Sequence, residues 1–196
     1  SLGSFSEAGN VFDPQLLMPI IEELSGKVED LETNPHLTKL GQRPVAVDGT
    51  LLRALPKMTW ALWRDDERHA AKLHLHLDLL TGLPKRAELT EGQASEIDSL
   101  MRHLETGRLY ITDRGYFCFK LMAAILNAKS SFVGRVRSNI VYETIEERGI
   151  SSEGRGENIV ADRIVKAGCD GGNDLIDRPL RLIEIHVPDS GPSKNN

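Results

Sequence analysis

The sequence predicts an α/β fold (α+β on some schemes): a mixed sheet with flanking helices and a strand-rich addition. Three observations predict it. Two short apolar strands, at 45–47 and 109–112, each run into an acidic residue and then a glycine. Between them KLHLHLDLL at 72–80 alternates with the two-residue period of a strand. Segments at 94–105 and 116–126 carry apolar residues at helical spacing. The order strand, hairpin, helix, strand, helix, strand requires a mixed sheet covered by helices instead of an all-parallel one.

The first ten residues are rich in Ser and Gly and read as a flexible lead-in. Asp13 as N-cap and Pro14 at the first helical position open a short amphipathic helix through Leu16, Leu17, Ile20, Ile21 and Leu24, which Gly26 stops. Val45-Ala46-Val47 is a strand ending at Asp48-Gly49, and Leu51 to Leu55 show no strong strand pattern. Along 72–80, Leu73, Leu75, Leu77 and Leu79 share one face and Lys72, His74, His76 and Asp78 the other, as in a half-buried strand. Gly82 and Pro84 mark a tight turn into a second strand at 85–90, so the two form a hairpin. Ile97, Leu100, Met101 and Leu104 give the next helix, started near Gln93 or Ser95 and stopped at Gly107. The strand at 109–112 ends at Asp113-Arg114-Gly115, and a helix at 116–126 leads to a strand at 131–136. Further on, 141–146, 159–165 and 180–187 are short strands separated by Gly-rich and charged loops, GCDGGND among them. The expected organisation is therefore a lead-in with a short helix at 1–43, a core at 44–138, a β-rich insertion at 139–187 and a loose tail at 188–196.

Composition narrows the classes. With 40% apolar and 27% charged residues among 196, the chain suits one globular domain of ordinary size plus a small module. A net charge of −5 gives it no general attraction for nucleic acid, so a DNA-binding role requires basic groups gathered on one face or supplied from outside this chain. Cys118 and Cys169 are far apart with no CxxC spacing, which indicates neither a thiolate zinc site nor a disulfide scaffold and favours a reducing, intracellular location. No apolar run approaches the roughly 20 residues that cross a bilayer, so no membrane is expected.

The chemistry centres on Asp48 in VAVDG and Asp113 in LYITDRG. A carboxylate at the carboxyl end of a buried strand projects into a crevice where ligands sit in open sheets. If the two strands are neighbours, the acids repel and lose hydration unless a cation lies between them. Mg2+ fits, because it takes hard oxygen ligands through one or two carboxylates and completes its shell with water and phosphate. Asp-Gly is also a common turn signal, and both readings stay open on spacing alone. His74 and His76 stand at zinc-ligand spacing on one strand face, yet no third ligand is identifiable and the face reads equally as solvated. Lys72 and His74 read better as partners for phosphate or acidic groups beside the crevice. Arg53, Lys57, Arg64, Arg68 and Lys72 with Trp60 and Trp63, and again Arg135 and Arg137, are candidates for the DNA backbone. Asp65, Asp66 and Glu67 offer the first group ordinary surface pairs instead.

Taken together, VAVDGT, HAAKLHLHLDLLTGLPKRAELTEGQASEID, GRLYITDRGYF and SFVGRVRSN resemble the DDE transposases of the insertion-sequence-4-like group. The resemblance is close over 44–138 and looser over 139–187. It implies a ribonuclease-H-like fold in which Asp48 matches the first catalytic Asp and Asp113 the second, with Mg2+ (or Mn2+) as cofactor. Lys72 and His74 match the family's KLH strand, Arg114 stands in TDRGY, and Arg135 and Arg137 match the basic strand after the second Asp. The implied activity is cutting and joining of DNA phosphodiesters at transposon ends by two metal ions about 4 Å apart. Implied with it are duplex DNA as partner, a homodimer in the full enzyme and a bacterial cytoplasmic, nucleoid-associated location. Glu96, where many relatives have Asp, is a departure not expected to touch the metals. The family's catalytic Glu, on a helix patterned Tyr, Arg, Trp, Glu and Lys, is not found, so the chain is expected to be inactive alone. Two alternatives accompany this reading: a non-catalytic DNA- or partner-binding remnant, and a metal-dependent nuclease or phosphatase completed by an acid such as Glu184 or Asp78.

Overall fold

The computed structural model describes residues 16–30, 35–53, 70–136, 140–167 and 178–187. Asp13, Pro14, the basic and aromatic stretch from Lys57 to Arg68, Arg137, Cys169, the GCDGGND loop and the tail lie outside the described residues. The chain divides into two compact units, Ser1–Arg137 and Ser138–Asn196.

In the first unit, helices α1 (Leu17–Gly26) and α2 (Pro35–Thr38) precede strand β1 (Arg43–Arg53). The hairpin β2 (Ala70–Asp78) and β3 (Leu83–Glu91) follows, then α3 (Glu96–Arg102), β4 (Arg108–Thr112), α4 (Phe119–Asn127) and β5 (Ser131–Gly134). The five strands form one sheet in the order β3-β2-β1-β4-β5. The pairs β1–β2 and β2–β3 are antiparallel, and β1–β4 and β4–β5 are parallel. This is the mixed α/β architecture expected, consistent with a ribonuclease-H-like core. Val45 and Val47 alternate inward from β1 and join Tyr110, Tyr116, Leu100 of α3, and Leu121 and Ile125 of α4 in one buried cluster. Burial of each such side chain stabilises the fold by about 1.5–3 kcal/mol, which fixes both helices on the parallel half of the sheet.

Local chemistry sets the element ends. Ser95 accepts a hydrogen bond from the Asp98 amide at 3.2 Å and so caps α3, with Glu96 and Asp98 in the first turn and Arg102 in the last, as the helix dipole favours. In the β2–β3 turn, Asp78 Oδ1 accepts from the amides of Leu80 at 2.9 Å and Thr81 at 3.4 Å, and Gly82 takes a positive φ of 67°. Helix α3 ends at Arg102, well before Gly107, because Gly107 (φ 75°) serves the turn into β4 instead. Residues 114–116 form a 3₁₀ turn, so the helix expected from Tyr116 begins at Phe119.

Two departures bear on the site. Strand β1 does not stop at Asp48: it continues to Arg53, paired with β2 as far as Arg53↔Ala70. Thr50 to Arg53 carry no strand pattern of their own, and the hydrogen-bonding edge of β2 overrides that weak local preference. The faces of β2 are also the reverse of those a hydrophobic pattern suggests. His74, His76 and Asp78 are 2%, 6% and 3% exposed, while Leu73, Leu75 and Leu77 are half-buried. Buried polar groups are tolerated when bonded. His74 Nε2 lies 2.8 Å from Thr90 Oγ1 while its Nδ1 is buried without a partner among the described residues, Asp78 receives Arg43 Nε, and the His76 ring stands edge-on to His103 with centroids 6.3 Å apart. Burial lowers the His76 pKa to about 4, with His103 and Arg86 adding to the effect, and burial first of all lowers His74 too, so both are neutral at neutral pH.

The second unit is a three-stranded antiparallel sheet of β6 (Tyr142–Glu147), β7 (Ile159–Ala167) and β8 (Leu180–Ile185), in that order, with helix α5 (Ser152–Gly156) between the first two strands. All three were expected strands. Central Arg163 on β7 pairs with Glu147 on β6 at 2.8 Å and with Glu184 on β8 at 3.2 Å, and Arg181 grips Asp162 through two hydrogen bonds of 2.9 and 2.7 Å.

Candidate metal centre

The parallel ladder of β1 and β4 runs from Arg43↔Arg108 to Val47↔Thr112. The next residue on one strand is Asp48 and on the other Asp113. Neighbouring strands lie about 4.8 Å apart, and in-register residues of a parallel pair share a face, so the two acids leave adjacent strands side by side. The register continues one strand further. Thr112 pairs with Gly134 of β5, which brings Arg135 level with Asp113. Asp48, Asp113 and Arg135 therefore form one row at the carboxyl end of the parallel strands, and all three are exposed. Asp48 Oδ1 accepts from the Gly49 amide at 2.8 Å, and Asp113 Oδ1 from the Gly115 amide at 2.8 Å, which steadies both side chains.

A third carboxylate approaches from α3. A Cβ placed on Gly49 would meet Glu96 Cδ and Oε1 at 2.7 Å, so the glycine after Asp48 leaves the space that the Glu96 side chain occupies. Lys72 holds the same carboxylate, with Nζ 3.3 Å from Glu96 Oε1, and donates to the Ala94 carbonyl at 2.9 Å. Tyr116, three residues after Asp113, is 2% exposed, and its hydroxyl is buried with no hydrogen-bond partner among the described residues. Burial raises the Tyr116 pKa, and the charges of Glu96, Asp48 and Asp113 act in the same direction. The phenol is thus a firmly neutral donor within electrostatic reach of three carboxylates.

Of the remaining candidates, Arg114 is exposed and opens the 3₁₀ turn directly after Asp113. Lys72 and His74 are turned inward, the one engaged by Glu96 and Ala94 and the other by Thr90. Arg137 lies outside the described residues. Asp78 sits level with Val45, three residues back along β1 from Asp48, bound by Arg43. Glu184 is paired to Arg163 in the second unit. Among the described residues no group of three His, Cys, Asp or Glu side chains is arranged to hold a metal ion, at Asp48 and Asp113 or at His74 and His76.

Residues 39–170 match the family model described as the transposase DDE domain. The chain belongs to the DDE transposase family. A Sinorhizobium fredii protein, y4zB, named as a transposase, is 28% identical to it over 120 residues, covering 60% of this chain and 33% of that protein. The cryo-EM structure of a piggyBac transposase synaptic complex with hairpin DNA matches with 12% identity and a TM-score of 0.39 over 78% of this chain and 35% of that one, too distant a likeness to carry function. The transposase domain described here spans about a third of the length of these relatives. No helix among its described residues is long and apolar enough to cross a membrane.

Sequence reasoning named Asp48 and Asp113, named Glu96 only as a departure not expected to touch the metals, and did not single out Tyr116. The signals were present in part. Ser95 is a recognisable N-cap that puts Glu96 in a first helical turn, and Asp-Arg-Gly-Tyr is short enough for a tight turn directly after the acid. What spacing lacked was the closeness of α3 to β1, which depends on tertiary packing around Leu100.

Proposed function

We propose that this chain is the front part of the catalytic domain of an insertion-sequence-4-like transposase, in which Asp48 and Asp113 are the catalytic carboxylates and hold Mg2+ or Mn2+. The whole protein would cut and join DNA at transposon ends, acting as a homodimer on duplex DNA. The observation that carries this reading is the parallel register ending at Val47↔Thr112, which sets the two acids abreast. The donor set fits the ion: two exposed carboxylates of hard oxygen suit Mg2+, which binds through one or two such groups. When bound, the cations supply Lewis-acid stabilisation of charge on a phosphodiester. The chain's own residues bind and orient. Asp48 and Asp113 fix the ions, while Arg114 and Arg135 flank them with positive charge for the DNA backbone. Lys72 and His74 support from behind, Lys72 by neutralising Glu96.

We further propose that this chain on its own cleaves DNA little or not at all. Titration with Mn2+ tests the site. Asp48→Asn and Asp113→Asn should each weaken binding tenfold or more, and binding identical in the wild type and the double variant would sink the reading. A duplex-nicking assay tests the inactivity separately: robust metal-dependent nicking that Asp113→Asn removes would overturn it while leaving the metal site in place.

A further inference from the structure

Tyr116 and Glu96 are arranged at a cost that the fold itself does not explain. Tyr116 is 2% exposed, and its hydroxyl has no hydrogen-bond partner among the described residues. An unsatisfied buried hydroxyl is destabilising, and Phe at this position would pack the same ring without it. The hydroxyl is nonetheless within the influence of Glu96, Asp48 and Asp113 together. Glu96 is likewise held in place by two independent features: a glycine at 49 that makes room for its side chain, and Lys72, largely shielded at 14% exposed, that offsets its charge. Among the described residues, Glu96, Asp48 and Asp113 do not form a direct three-ligand cage. A hydrated Mg2+ does not need one, since it keeps several waters that must be hydrogen-bonded in turn.

We propose that Glu96 and Tyr116 are positioning residues for a hydrated divalent cation at Asp48 and Asp113, Glu96 accepting from its water shell and the Tyr116 hydroxyl donating into that same group of oxygens. Resting on the reading of Asp48 and Asp113 as ligands, this adds an outer layer from within the chain. The layer lets the domain bind one cation measurably without a further carboxylate from elsewhere. Lys72 then has a defined part: it offsets the Glu96 charge while the cation is absent and gives way as the cation takes over.

The test is calorimetric titration of the whole chain with Mn2+ alone, alongside thermal melts in chelator. Glu96→Gln and Tyr116→Phe should each weaken Mn2+ binding by roughly tenfold or more, the usual loss when an outer-layer partner is removed. In chelator the Tyr116→Phe melting temperature should equal or exceed that of the wild type, because the unpaired hydroxyl is gone. A purely structural role would move affinity and melting temperature in the same direction. Gly49→Ala provides a second route, since its methyl group displaces the Glu96 carboxylate without altering its charge, and it should weaken binding as Glu96→Gln does. If Asp48→Asn abolishes binding while Glu96→Gln, Tyr116→Phe and Gly49→Ala all bind like the wild type, the inference is overturned and the two-carboxylate site stands. If Asp48→Asn also binds like the wild type, both fail.

Discussion

At the scale of single residues, the polar face of β2 makes the fold sensitive to acid. His76 has an ordinary pKa of 6.5 and is held at about 4 by burial and by His103 beside it. Between those values the unfolded chain binds a proton that the folded chain refuses, so stability falls as pH drops through the window. At about 1.36 kcal/mol per unit the full effect is on the order of 3 kcal/mol. His74 and His103, also lowered chiefly by burial, add in the same direction. Asp78 behaves differently in origin and alike in sign. Burial works to raise it, but the Arg43 hydrogen bond and the Leu80 and Thr81 amides outweigh that and hold it below the usual carboxylate range. Its contribution is present above the unfolded value and is lost as pH falls through the folded one, below the histidine window. Urea midpoints should therefore decline from about pH 7 to about pH 4, and His76→Gln should flatten the upper part of the slope; a constant midpoint would refute the assignment. Asp78→Asn removes the buried one of the two carboxylates that hold Arg43, the other being Asp30, and should cost about 2 kcal/mol at neutral pH, read from the same urea curves.

At the scale of elements, what matters is which strand edge or helix carries an acid to the site. The two aspartates were legible because an apolar run ending in Asp-Gly or Asp-Arg-Gly is a local pattern, and local patterns survive in a sequence. The length of β1 was not, because Thr50 to Arg53 are held extended by β2 and not by their own preference. The orientation of β2 was misleading for a related reason: alternation identifies two faces, while which face is covered depends on the polar partners the other elements bring, here Thr90, Arg43 and His103. Helix α3 is the element on which Glu96 depends, and Leu100, 1% exposed, is its anchor. Leu100→Ala should destabilise the domain by about 2–5 kcal/mol through lost burial and the cavity left behind. Ser95→Ala, which removes only the cap, should cost about 1 kcal/mol. Chemical denaturation separates the two, and a Leu100→Ala loss no larger than that of Ser95→Ala would mean that α3 is not anchored by the core.

At the scale of the whole molecule, the DNA contact proposed above requires a local arrangement of charge, because a net charge of −5 repels the duplex. The row of Asp48, Asp113 and Arg135 at the carboxyl end of the parallel strands, with Arg114 beside it, mixes two acids with two bases. Without cations, the acids cancel the attraction that the arginines supply. Divalent ions ordinarily weaken protein–DNA contacts by competing for phosphate and by screening. At a site where they bind the protein's own carboxylates, they reverse a local charge and should strengthen contact with the backbone instead. The sign of the cation effect is thus diagnostic. At fixed ionic strength, duplex binding followed by fluorescence anisotropy should be tighter with Mg2+ or Mn2+ than with chelator, and the gain should vanish in the Asp48→Asn, Asp113→Asn double variant. Arg114→Ala and Arg135→Ala should each lower the slope of log affinity against log salt by about one, as expected for the loss of one phosphate contact. If divalent ions weaken binding in the wild type as much as in the double variant, DNA does not approach the domain over this end of the sheet, however well the two carboxylates hold a metal.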